Sequence, residues 1–315
     1  PEMTLISFFL VLYVSVYILF NPINSSPVSG TSEDLSIYRN SPNFRLINGS
    51  RVSPEKFPYA TYIYDDPKRI YTSCTGSLIA SNIVLTAAHC FVDDFGKLKP
   101  DNFYVSVGSI YSANNNTNRY NVLKKIPHPK FDSVSRKYDV GILVLDGDTN
   151  IDPSKFAKIY DKEIKDFFTV ETAGWGLTSV VGNIATSEVL LSVPIILSSS
   201  ESCKKYNPEY NGNNGFSICT ITQNSQGSCF GDSGAPLAYT QIPSYPIIGI
   251  TSYGEVDPDP ITGQKQVPCG VNGGYGYYTN AYYYINWIST ASNIPRSELV
   301  YSKPQLKCGI KSGIP

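Results

Sequence analysis

From Phe57 onward the chain alternates short β-branched and aromatic runs with turn-forming clusters, and this spacing constrains its fold more than any other feature. The runs are Ala60 to Tyr64, Ser77 to Ala80, Phe103 to Val107, Val140 to Leu145 and Ile247 to Thr251. Short strands separated by turns predict an all-β sandwich or barrel. Hydrophobic residues make up 42% of the 315-residue chain and charged ones only 16%, enough apolar surface to bury a core. One segment breaks the pattern. Ala281 to Ala291 carries Ile285 and Ile288 three apart with Trp287 between them, ahead of Pro295, which predicts a closing helix. Residues 296–315 form a tail to which no structure is assigned.

The amino terminus sets the compartment. Thr4 to Phe20 is almost wholly apolar and gives way to Asn21, Pro22 and small residues, the order of a secretory signal, here placed at 1–26 with Met3 read as the start. No Lys or Arg precedes the run, and an uncleaved membrane anchor at the lower edge of spanning length is the competing reading. Secretion predicts that cysteines, of which the chain has seven, are used for pairing rather than for binding metal. Residues 27–45 are polar and irregular, a linker or propeptide, so the compact domain is expected over 46–295. A net charge of −1 gives too little field to gather nucleic acid or anionic lipid, and two histidines exclude a metal site built on several imidazoles. No cofactor is expected, nor stable membrane association once the signal is removed. Between Asn102 and Phe131 there is no Asp or Glu, so no carboxylate-built calcium loop is expected there.

Three segments carry chemistry. Leu85-Thr86-Ala87-Ala88-His89-Cys90 sets a histidine after a strand, Tyr138-Asp139-Val140-Gly141-Ile142 sets an aspartate at the mouth of one, and Gly231-Asp232-Ser233-Gly234-Ala235-Pro236 sets a serine among glycines. A serine hydroxyl needs a base to become nucleophilic, and the base needs a carboxylate to hold its tautomer. Flanking glycines let the backbone turn and leave N–H groups free for an oxyanion. Singly, each segment is more often structural. In this order, together with Thr172-Ala173-Gly174-Trp175-Gly176 and Tyr278-Thr279 with Asn286-Trp287-Ile288, they resemble the trypsin and chymotrypsin family of serine proteases from Leu46 to about Pro295.

That resemblance implies two antiparallel six-stranded barrels with the active site between them, His89 and Asp139 on the first and Ser233 on the second. It implies Ser233 as nucleophile, His89 as general base and then acid, Asp139 as orienting carboxylate, and the N–H groups of Gly231 and Ser233 as oxyanion hole. It also implies bridges Cys74–Cys90, Cys203–Cys219 and Cys229–Cys269, since six cysteines alone allow fifteen pairings. Cys308 is left over, to be free, paired between chains or carrying an adduct. His128, between two prolines, reads as structural.

The resemblance further implies that cleavage after Arg45 frees Leu46, whose ammonium would pair with Asp232; an activating protease is therefore an expected partner, besides protein or peptide substrates. By the same resemblance, aligned on the Ser233 motif, the specificity pocket is expected at Gly227, Ser252, Tyr253, Gly254 and Gly276. Its floor at Gly227 is uncharged, which predicts large apolar side chains before the scissile bond, unless Glu255, Asp257 or Asp259 folds over the mouth. Ala235, Tyr253 and Leu46-Ile47-Asn48-Gly49 depart from the family's usual residues without removing a reacting group. Among Asn24, Asn48 and Asn115, each opening an Asn-x-Ser/Thr triplet, Asn115 is the expected glycan site. A protease-like binding protein without activity is the alternative from another class, because fold alone does not prove function.

Overall fold

The computed structural model describes residues 49–66, 69–100, 102–113, 118–178, 186–264, 266 and 269–302. The signal and propeptide, Arg45, Leu46, Asn115 and Cys308 lie outside them. Among the described residues no helix is long and apolar enough to cross a membrane.

A two-residue strand, β1 (Ser50–Arg51), precedes the first barrel. The barrel consists of β2 (Ala60–Asp66), β3 (Arg69–Ala80), β4 (Ile83–Thr86), β5 (Tyr104–Ser106), β6 (Arg119–Pro127) and β7 (Gly141–Leu145), closed in the order β2-β3-β4-β7-β6-β5. β4 reads Ile-Val-Leu-Thr and β7 Gly-Ile-Leu-Val-Leu, continuous apolar runs rather than alternating ones. Such strands are covered on both faces. All of β4 is buried, as is β7 apart from half-buried Val144, and their side chains join one core with Ile285 and Ile288 of the closing helix. Each fully buried Leu or Ile contributes about 1.5–3 kcal/mol.

The second sheet contains β8 (Thr169–Gly174), β9 (Leu191–Ile196), β10 (Ser217–Ile221), β11 (Pro236–Ala238), β12 (Ile247–Glu255) and β13 (Tyr275–Asn280). Its seven-strand order, β1-β9-β8-β11-β12-β13-β10, differs from the six expected. The extra member is β1, which pairs with β9 through Ser50–Ser192 and Arg51–Leu191. The remaining six close into a ring only through the Leu197–Thr220 bridge and the Ser198 N–H donating to the Cys219 carbonyl at 2.9 Å. Trp175 ties this half to the first. Its indole donates to the Ile110 carbonyl at 2.9 Å, and its ring meets Tyr62 of β2 edge-on at 5.6 Å.

The closing helix spans Ile285–Ser292, not Ala281–Ala291. The Asn280 carboxamide accepts the N–H groups of Tyr282 and Tyr283 at 3.0 and 3.1 Å, holding residues 281–284 in a turn and delaying the helix. Left-handed Asn293 ends it. Beyond Pro295, where no structure was assigned, a helical turn Arg296–Leu299 returns the chain to the body. The Ile159 N–H donates to Leu299 and the Tyr301 N–H to Ile159, both at 2.8 Å, while Leu299 is buried. Leu299→Ala should therefore lower unfolding free energy by about 2–5 kcal/mol in urea titrations with the disulfides intact. A loss under about 0.5 kcal/mol, the scale of a surface change, would mean the segment lies outside the cooperative fold.

Candidate active site

β4 leads into a single 3₁₀ turn, Ala88–Cys90, which carries His89 at the edge of the first barrel. The chain enters β7 through Tyr138, held in the left-handed region at φ 57, and buried Asp139. The two meet side by side. Asp139 Oδ2 lies 2.7 Å from His89 Nδ1, and Oδ1 accepts the His89 backbone N–H at 3.0 Å. The second half contributes as well. Ser252 donates its hydroxyl to Asp139 Oδ2 at 2.5 Å, and Thr279 donates to the Asp139 carbonyl at 2.8 Å. Burial alone would raise the Asp139 pKa; His89 and the hydrogen bonds from His89 and Ser252 outweigh it and hold the carboxyl below its ordinary range.

Ser252, expected as pocket wall, lines the cavity but directs its hydroxyl to Asp139. The register between β12 and β13 slips between Thr251 and Tyr253, so Ser252 is the unpaired bulge residue. Bulges re-aim side chains, and no sequence period announces them.

The Ser233 turn is fixed from both sides. Thr75 of β3 donates its N–H to the Ser233 carbonyl, and Gly234 donates to Thr251, both at 2.8 Å. Gly231 and Gly234 have φ of 94° and 79°, and a Cβ on Gly234 would overlap Thr86 Oγ1 and the Thr75 carbonyl. Asp232 N–H is spent on Cys229 and Ala235 N–H on Asp232. Gly231 and Ser233 N–H meet no acceptor among the described residues.

Asp232 is wholly buried between two backbone donors, Gly176 N–H at 2.8 Å and Cys229 N–H at 2.9 Å. A Cβ on either Gly174 or Gly176 would overlap its carboxylate, so both glycines around Trp175 form its cradle. No cation pairs with it among the described residues. Burial pushes its pKa up to about 7 against those two hydrogen bonds.

His89 and Ser233 line one cavity of about 310 Å³, together with Gly227, Ser252, Tyr253, Gly254 and Gly276. Register makes the walls: Gly254 faces Gly276 across β12 and β13, and Gly276 faces Thr220 of β10. Thr220, Thr222, Ser228 and Tyr278 also line it, polar but uncharged residues that spacing from the serine did not reveal. Tyr253 stacks on Tyr277 at 4.7 Å. Asp257 is engaged by Lys205 at 2.5 Å and by the Tyr206 hydroxyl, while Asp259 accepts the N–H groups of Ile261 and Thr262 in its own turn. Neither lines the cavity, nor does Glu255.

Three disulfides frame the site. Cys74–Cys90 clips the His89 turn to β3, Cys229–Cys269 ties the Ser233 loop to the chain entering β13, and Cys203–Cys219 anchors β10. His128 stacks on Tyr138 at 4.8 Å and packs against Tyr284 and Trp287, bracing the chain behind Asp139.

A carboxyl whose folded pKa lies above its unfolded value contributes stability that is complete below about pH 4 and is lost as pH rises through about 7. In a chain uncut after Arg45, stability should therefore fall between about pH 4 and 7, and Asp232→Asn should remove on the order of a few kcal/mol of that fall. Urea titrations across this range check the sign. Equal slopes in the two proteins would contradict an unpaired carboxylate.

The family profile described as Trypsin matches residues 46–288. Trypsin of Saccharopolyspora erythraea is 32% identical over 211 residues, covering 67% of this chain and 87% of that one. Chymotrypsin of Phaedon cochleariae is 26% identical over 258 residues, with 80% and 83% covered. Coagulation factor IX of Oryctolagus cuniculus is 27% identical over 252 residues, with 77% and 83% covered. The solved structure of neuropsin, a serine protease expressed in the limbic system of mouse brain, superposes with a TM-score of 0.61 at 22% identity, covering 78% of this chain and 99% of that one. At that identity the likeness concerns the fold. The chain belongs to the trypsin family of serine proteases.

Proposed function

We propose that the protein is a secreted serine endopeptidase, made as a zymogen and activated by cleavage after Arg45. The observation that carries this reading is the convergence of His89, paired with buried Asp139, and Ser233 on one cleft, beside two uncommitted backbone N–H groups. Asp139, kept ionised, holds the proton on His89 Nδ1 and leaves Nε2 to accept the Ser233 proton as Oγ attacks the peptide carbonyl. The oxyanion takes the N–H groups of Gly231 and Ser233. Preformed donors of this kind need no reorganisation, and one is worth roughly 10²–10³ in turnover. Collapse expels the amine with the proton from His89, leaving an acyl-enzyme that water hydrolyses by the reverse path.

Activation follows from Asp232. A fully buried carboxylate with two neutral donors has no counter-charge among the described residues, and an inserted Leu46 ammonium would supply one. Residues 1–26 would serve as the signal and 27–45 as the activation segment. The glycan is proposed at Asn115. An oxidising compartment suits the three disulfides.

The cavity is open and carries no acidic lining residue, which supports Phe, Tyr, Leu or Met before the scissile bond. An apolar side chain gains about 1.5–3 kcal/mol on burial, whereas Lys or Arg would lose its hydration without a partner.

A fluorophosphonate should label Ser233 of the chain cut after Arg45, located by peptide mass mapping, and Arg45→Gln should block both labelling and activity. A folded, cut protein that fails to label would overturn the endopeptidase reading. Peptides differing only at the residue before the scissile bond test the pocket: Phe, Tyr or Leu should exceed Arg and Lys by about tenfold or more in kcat/KM. The reverse order would sink the apolar preference alone.

A further inference from the structure

One cation in the cleft, Arg136, has no partner among the described residues. Arg136 lines the same cavity as His89 and Ser233, is half-buried, and meets no carboxylate or hydrogen-bond acceptor among the described residues. It belongs to the loop between β6 and β7 of the first barrel, and it also borders Ser252 and Tyr253 of the second half. Its neighbours in charge are committed elsewhere: Lys137 pairs with Glu209, and Asp139 with His89 and Ser252.

The loop is built to hold Arg136 there. Asp132 Oδ1 accepts the N–H groups of Val134 and Ser135 at 2.8 and 3.1 Å, and Asp132 N–H donates to the Lys137 carbonyl at 3.1 Å. Ser133 donates to the Asp94 carbonyl at 2.8 Å, fastening the loop to the segment after the His89 turn. Arg136 sits at φ 56 inside this closure, a left-handed backbone that an arginine adopts only where its surroundings impose it.

We propose that Arg136 is a specificity-determining residue that selects an acidic side chain, Asp or Glu, at the second substrate residue before the scissile bond. The inference rests on the endopeptidase reading and deepens it. A substrate segment extended between the barrels places successive side chains on opposite faces. When the residue before the scissile bond enters the cavity of the second barrel, the one preceding it turns to the first-barrel wall, where His89 and Arg136 stand. A carboxylate there meets a planar, permanently charged fork with no competing acid, and it can be held by two parallel hydrogen bonds.

The test is competitive cleavage. Two peptides, identical except for Glu or Gln at that position, are digested in one tube by the protein cut after Arg45; the ratio of their rates reports relative kcat/KM whatever fraction of enzyme is active. Wild type should favour Glu by about three- to tenfold, less at high salt. Arg136→Asn, which tolerates the left-handed backbone, should bring the ratio near one, and Arg136→Glu should turn it against Glu and in favour of Lys. Equal cleavage of Glu and Gln by wild type, or a Glu preference that survives both substitutions, would overturn the assignment while leaving the endopeptidase reading intact. If no peptide is cut, Ser233 labelling separates the two claims. Labelled enzyme that cuts neither peptide overturns this inference alone, and unlabelled enzyme overturns both.

Discussion

The architecture turns on one buried carboxylate. Asp139 belongs to the first barrel, yet two of its hydrogen bonds come from the second, Ser252 to its side chain and Thr279 to its carbonyl. The relation is reciprocal, because Thr75 of the first barrel holds the Ser233 carbonyl of the second. Each half therefore hydrogen-bonds a candidate site segment of the other. A buried charge explains why so much is aimed at it. Removing one partner of such a pair typically costs 3–5 kcal/mol, because the remaining charge is stranded out of water.

A second buried carboxylate, Asp232, shows the same physics with the opposite outcome. Both acids are fully buried, and burial is the first cause acting on each. Asp139 meets the imidazole and several donors and is held below its ordinary range, whereas Asp232 meets two backbone N–H groups and no cation among the described residues and is pushed up to about 7. Since Asp232 immediately precedes Ser233 and its carboxylate rests in the Gly174 and Gly176 cradle, its charge state and the shape of the Ser233 turn are bound together.

Much of this was legible in the sequence because the relevant signals are local. Apolar runs mark β4 and β7, and glycines beside Ser233 mark a turn that only they fit. What escaped was set by tertiary pairing. Ser252 looked like pocket wall, but a one-residue bulge turns it to Asp139. The helix looked longer, but the Asn280 side chain holds the first turn apart from it. Leu299 carried no period, and only the ladder to Ile159 shows why the chain continues past Pro295. β1 has two residues, too few for any pattern, and it gains strand character only from its partner β9.

The central proposal is that Asp139, tied to the second barrel by Ser252 and Thr279, holds the proton of His89 on Nδ1, leaving Nε2 free toward Ser233. Proton and nitrogen NMR of the imidazoles tests this directly, since the chain has only two histidines and His128→Gln assigns the remaining signals. At neutral pH the account predicts a far-downfield His89 Nδ1 proton, an unprotonated Nε2, and loss of that resonance in Asp139→Asn. A His89 protonated on Nε2, or a downfield proton that survives Asp139→Asn, would contradict it.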